Sequence, residues 1–142
     1  MQLPIKAHYA TLAMLCLAQR YASGELMPAR LIAKQQRIPL QFLGQILQQL
    51  RAAGLILSTR GSNGGFQLSR DPAEINIAEI VDAVYSCGGN LAGADHANPM
   101  AKVVLDLWCE VSGAQQALLE RLHLGDLLSR VDQHDSLNMY YI

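Results

Sequence analysis

Apolar positions three and four apart are densest between Pro39 and Gly54, where Leu40, Leu43, Leu47 and Leu50 recur with Ile46 beside them. That spacing predicts a helix with one face to bury. The opposite face carries Gln41, Gln45, Gln48 and Arg51. A shorter helix is predicted from Pro28, separated from the first by a break at Arg37-Ile38. Both helices open on proline, whose missing N–H costs nothing in a first turn, and Gly54 is placed for a left-handed C-cap. Beyond the cap, Leu55, Leu57 and Thr59 alternate with Ile56 and Ser58, and a tip from Arg60 to Gly65 returns the chain through Phe66 and Leu68. Alternation around a glycine-rich tip predicts a hairpin. Helix, tight turn, helix, strand, tip and strand, in that order, make a winged helix-turn-helix.

The flanking chain is read the same way. A helix is expected over Pro4–Tyr21, with Tyr9, Leu12, Ala13, Cys16 and Leu17 on one stripe. Asn76 and Glu79 have capping-box spacing for a helix through Tyr85, with Ile77, Ile80, Val81 and Val84 as its apolar face. From Ser86 to Ala97 the regularity stops, and a functional loop is expected there. Asn98-Pro99 then starts a long helix through about Leu122, carrying Val104, Trp108, Val111, Leu118 and Leu122, widened by Leu105, Leu107 and Leu119. So broad a band, away from a small helix-turn-helix core, needs a second surface, and the economical one is a second copy in a two-fold dimer. The expected fold is mainly α with a small β wing. Residues 1–75 form the winged helix-turn-helix DNA-binding domain, and residues 76–142 the sensor loop and dimerisation helices. His123, His134 and the tail from Gly125 to Ile142 are read as structural or solvated.

Charge sharpens this division. Taken whole, a net charge of −1 over 142 residues argues against a nucleic-acid partner. Residues 1–70, however, hold eight Lys/Arg against one acid, a net of +7, while residues 71–142 hold three against eleven, a net of −8. The basic half coincides with the helix-turn-helix, as attraction to phosphates requires. The apolar share of 51% suffices for a core, yet no run is long enough to span a bilayer and no signal peptide opens the chain. A soluble cytoplasmic protein is expected. Three cysteines without framework spacing argue against a secreted disulfide scaffold.

Candidate chemistry falls in two places. Gln41, Gln45, Gln48 and Arg51 can read base edges or hold phosphates from a helix in the major groove, and Arg60 at the hairpin tip can reach a minor groove. Gly64 and Gly65 are expected to serve positive backbone torsions. Gly44 is harder to place, since glycine inside a helix costs about 1 kcal/mol relative to alanine. Cys16 reads as a small buried hydrophobe. Cys87 and Cys109 bracket the irregular loop, and are open to three readings: unrelated buried thiols, iron–sulfur ligands or a dithiol switch. His8 is either solvated or a ligand presented outside its own subunit. No nucleophile–base set or phosphate loop points to an enzyme.

The chain resembles the IscR and NsrR type of winged-helix repressors, which sense iron–sulfur status, nitric oxide, redox state or cysteine supply. The likeness rests on Lys6 to Ala10, Ile32-Ala33, Phe42-Leu43, Leu50 to Leu55, the wing from Arg60 to Phe66, Ile77 to Val84, Leu107-Trp108 and Leu124 to Leu128. It implies a cytoplasmic homodimer that binds double-stranded DNA at a palindromic operator and is not an enzyme. Gln45 and Arg60 match family residues that touch bases or the minor groove; Gln41 and Phe42 sit where others approach the backbone. Gly44 departs from the acidic residue often found there, which leaves the target sequence open. Cluster-binding relatives usually carry three cysteines in the loop, where this chain has only Cys87. Cys109 lies one turn beyond Leu105, the position of a histidine ligand in some relatives, and His8 matches a position that donates across the dimer. The resemblance therefore implies a [2Fe–2S] cluster held by Cys87 and Cys109 of one subunit and His8 of the other, with the fourth ligand unassigned and His96 a weak candidate. Two alternatives stand beside it: the same fold without metal, regulated by thiols, a small molecule or a protein partner, and an interaction module that no longer binds DNA.

Overall fold

The computed structural model describes residues 4–85 and 98–140. Its elements in order are α1 (Ile5–Gln19), α2 (Ala29–Gln36), α3 (Leu40–Ala52), β1 (Ile56–Thr59), β2 (Gly65–Leu68), a 3-10 turn (Pro72–Glu74), α4 (Ile77–Val84), α5 (Pro99–Arg121) and α6 (Leu124–Tyr140). The protein is thus mainly helical with one small antiparallel hairpin, in the winged helix-turn-helix order. The loop from 86 to 97, with Cys87 and His96, lies outside the described residues.

Helix α1 is the hub. Its buried side chains are mostly small, Ala7, Ala10, Ala13, Cys16 and Ala18 beside Met14 and Leu17, so neighbouring helices can approach closely on several sides. α3, α4, α6 and β2 all pack against it. The expected single stripe is therefore too narrow, and Tyr9 and Leu12 sit at its half-exposed edge. One core joins α1 to Ile32, Leu43, Ile46, Leu47 and Leu50 of the helix-turn-helix, and to Ile77, Ile80, Val84 and Leu124.

Local chemistry ends and starts the elements largely as the residues require. Gly54 adopts φ +79°, and the Leu55 N–H donates to the Leu50 carbonyl at 3.1 Å, closing α3 in a Schellman turn. The turn between α2 and α3 is made by Arg37 at φ 55°, the only non-glycine residue with positive φ among the described residues. Asn76 Oδ1 accepts from the Glu79 N–H at 2.9 Å, and Glu79 Oε2 accepts from the Asn76 N–H at 3.0 Å, so the capping box is formed. Asn98 Oδ1 accepts from the Met100 N–H at 2.9 Å and opens α5. α6, absent from the sequence reading, begins where Leu124 is fully buried and returns across α1. The Leu124 N–H donates to the Ile75 carbonyl and the Ile77 N–H to the Leu122 carbonyl, both at 2.8 Å, which ties the end of α5 to the start of α4.

α5 itself buries no residue. Val103, Val104, Leu107, Trp108, Val111 and Leu118 are all exposed, Trp108 at 55%. Among the described residues no helix is long and apolar enough to cross a membrane.

Candidate nucleic-acid interface

The wing is set by backbone pairing. β1 and β2 run antiparallel from Ile56 opposite Leu68 to Thr59 opposite Gly65. Met27 adds a bridge on the far side of β2, its N–H donating to the Phe66 carbonyl at 3.0 Å and its carbonyl accepting from the Phe66 N–H at 2.9 Å. The backbone torsions overturn the expectation for two glycines. Gly61, not Gly64 or Gly65, takes the positive torsion at φ +118°. A Cβ on Gly64 would collide with the Thr59 carbonyl, and one on Gly65 would stand 2.7 to 2.9 Å from the Met27 backbone. Both glycines answer to close backbone approach.

The second helix of the pair presents its polar row as the spacing predicts. Gln41, Gln45, Gln48 and Arg51 are exposed, while Leu43, Ile46, Leu47 and Leu50 are buried. Leu40, expected with the buried set, is 47% exposed, because it opens the helix ahead of the core. Between α3 and the wing lies a cleft of about 530 Å³. Gln48, Arg51 and Arg60 line it, with Ser58, Thr59 and Gly44. Arg51 donates to Ser58 Oγ at 3.2 Å, so one guanidinium is braced across the base of the wing. Gln41 and Gln45 stand on the same helix outside the cleft lining. Phe42 turns inward, packing edge-to-face on Tyr9 with ring centroids 5.6 Å apart, so its ring fastens α3 to α1.

Electrostatics favour this face. Of the eight Lys/Arg in the first 70 residues, Arg20 is paired with Glu25 at 2.7 Å and Arg70 with Glu79 at 2.9 Å. No ion pair among the described residues engages the other six, which leaves Arg30, Lys34, Arg37, Arg51 and Arg60 exposed around the helix-turn-helix and wing, with Lys6 half-buried on α1. Ser58 and Thr59 were legible only as strand residues. Their exposure beyond Ile56 is what brings their hydroxyls to the cleft.

The sensing candidates are placed differently. Cys16 is 4% exposed, and burial pushes its thiol pKa up against the opposing pull of a Gln36 hydrogen bond and Arg20. A thiol kept protonated there is a poor metal ligand. Cys109 is exposed on α5, and His8 is exposed on α1 with its ring 6.0 Å from that of Tyr9. Among the described residues no three His, Cys, Asp or Glu gather in a group able to hold a metal.

Comparison with known proteins agrees with this architecture. A family model described as Rrf2, iron-dependent transcriptional regulator, matches residues 3–130. The ORF2 protein of Azotobacter vinelandii is 37% identical over 142 residues, covering 98% of this chain and 86% of its own. Among solved structures, T. potens IscR superposes with a TM-score of 0.78 at 27% identity, covering 94% of this chain and 90% of its own. CymR, described as the global cysteine regulator of B. subtilis, gives 0.72 at 26% identity, covering 92% and 98%.

Proposed function

Since the chain belongs to the Rrf2 family of transcriptional regulators, we propose that it acts as a homodimer on a palindromic operator, with residues 1–75 gripping DNA and residues 76–142 pairing the subunits and carrying the trigger. The observation that carries this reading is the cleft between α3 and the wing, with Gln48, Arg51 and Arg60 on its walls and unpaired cations around it. Gln41, Gln45 and Gln48 read bases in a major groove, Arg51 holds a phosphate and Arg60 enters the adjacent minor groove. Phe42 contributes by seating α3. The exposed apolar band of α5 supports the dimer: a second copy would cover it, and two half-sites give the specificity that one recognition helix lacks.

The trigger we assign to a [2Fe–2S] cluster held by Cys87, Cys109 and His8 of the partner subunit. The donor chemistry fits, since thiolates and imidazole both ligate such clusters and Cys109 and His8 are exposed. When bound, the cluster supplies a local charge that changes with its oxidation state or its loss. A second reading is favoured by the likeness to CymR and by the exposed Cys109 thiol: a metal-free regulator that responds through cysteine chemistry. The discriminating experiment is anaerobic purification with iron, sulfide and absorption measured on wild type, Cys87→Ser, Cys109→Ser and His8→Ala. Visible absorption lost in each variant supports the cluster. Colourless wild type whose duplex affinity follows thiol oxidation selects the second reading.

A further inference from the structure

Of the two ion pairs that engage the basic half, one is local and one is not. Arg20 and Glu25 meet within the turn that follows α1. Arg70 and Glu79 join different elements: Arg70 follows β2, Glu79 lies in the first turn of α4, and Arg70 Nη2 stands 2.9 Å from Glu79 Oε1. The other carboxylate oxygen of Glu79 accepts the Asn76 N–H at 3.0 Å and completes the capping box. A glutamine would serve that box equally well. The negative charge is therefore there for the dipole of α4 and for the guanidinium of Arg70.

On its other side the same segment is fastened to the end of α3. Ser69 Oγ donates to the Gly54 carbonyl at 2.6 Å and the Ser69 N–H to the Leu55 carbonyl at 3.0 Å, both at the left-handed turn that closes that helix. Ser69-Arg70 is thus a two-residue link, with the end of α3 and the root of the wing on one side and the start of α4 on the other. Both side chains of the ion pair are more than a third exposed, at 39% and 37%, so it adds little to folding stability. Its value is positional. We propose that Arg70 and Glu79 are positioning residues whose ion pair, acting through Ser69, sets the end of α3 and the wing from α4, so that DNA on one side and the state of α4 on the other bias each other. Linkage makes that bias run both ways by the same factor. α4, which leads in sequence to Cys87, also packs on α3 through the core, and that competing route is what a test must separate. This inference rests on the DNA-binding reading and adds the route by which α4 governs it.

Arg70→Gln, Glu79→Gln and the double variant test it. Each is assayed for affinity toward a random-sequence duplex at low salt, and for hydrogen exchange of the α4 amides with and without that duplex. Electrostatics alone predicts opposite signs, since the first variant removes a cation from the basic half and the second an anion beside it. A shared joint predicts one sign: each single variant should weaken binding about threefold, and the double no more than either. In wild type the duplex should slow α4 exchange, and that slowing should vanish in all three variants while slowing in α3 persists. Thermal midpoints should stay within about 4 °C of wild type. Tighter binding by Glu79→Gln overturns the proposal, as do additive losses or a midpoint lowered far beyond that range, which would assign the pair to the fold. So does α4 exchange that ignores the duplex in wild type, or slowing that survives in the variants, which would give the coupling to the core. Each of those outcomes leaves the DNA-binding reading standing. Wild type that binds no duplex at low salt removes that reading and the proposal together.

Discussion

α3 and α5 carry apolar residues at the same helical spacing and meet opposite fates. In α3, Leu43, Ile46, Leu47 and Leu50 are buried inside the chain's own core. In α5, nearly twice as long, nothing is buried, and Val104, Leu107, Trp108 and Val111 stand in water. Periodicity reports that a face wants cover; it does not report which molecule supplies it. The face of α3 closes on α1 in a core that Ile77, Ile80 and Val84 of α4 and Leu124 of α6 help to fill. Among the described residues the long helix is anchored towards its end, where Leu119 and Leu122 reach the core, Gln116 donates to Asp82 Oδ2 at 3.4 Å and the Ile77 N–H donates to the Leu122 carbonyl. A surface left in that state is the one that the proposed second copy would cover.

Substituting one apolar residue in each helix breaks this comparison if it is wrong. Trp108→Glu should convert the proposed dimer to a monomer by light scattering and lower operator affinity towards the non-specific level, by about a thousandfold or more. Its thermal unfolding, measured at a concentration where wild type is itself monomeric, should scarcely change. Leu50→Ala should do the reverse. It removes about 2 to 5 kcal/mol of folding stability by denaturant titration, because a fully buried leucine leaves a cavity, and it leaves the α5 surface intact. A Trp108→Glu protein that unfolds as a monomer far more easily than wild type would place α5 within the self-sufficient part.

What the sequence made legible follows the range of the interactions involved. The capping box at Asn76, the left-handed Gly54 and the Asn98 cap are each decided within a few residues, and each is found where spacing put it. The polar row of α3 was equally plain. Gly65 was misread because its constraint comes from the Met27 backbone, almost forty positions upstream, which no local pattern reveals, and Gly64 because the hairpin tip folds back on the Thr59 carbonyl rather than turning at Gly64 itself. α6 was not drawn from the sequence, although Leu124, Leu127, Leu128 and Val131 carry helical spacing. In the fold Gly125 lets the helix start pass within 3.3 Å, at its would-be Cβ, of Ala73. At the interface, the arginines and glutamines were visible as residue types. The cleft that gathers Gln48, Arg51 and Arg60 with Ser58 and Thr59 was not, since it depends on how the wing folds back on α3.

The smallest effect concerns the two described thiols, which sharpen the same contrast between a closed and an open region. Cys16 sits in the α1 core and its thiol pKa is raised, chiefly by burial, with Gln36 and Arg20 pulling the other way. A folded pKa above the unfolded one means the folded state binds the proton more tightly, so stability falls where the unfolded chain begins to lose it. The contribution is whole below the ordinary thiol range and is lost as pH climbs through the raised folded value. Cys16→Ala lacks that proton, so the stability gap between wild type and variant should narrow steadily above the thiol range and stay constant below neutrality. Native thiol titration gives the companion measurement: in a Cys87→Ser background, Cys109 should react at once and Cys16 only as the protein unfolds, since a buried protonated thiol offers no nucleophile. Equal labelling of both would mean that the α1 core opens as freely as the surface of α5.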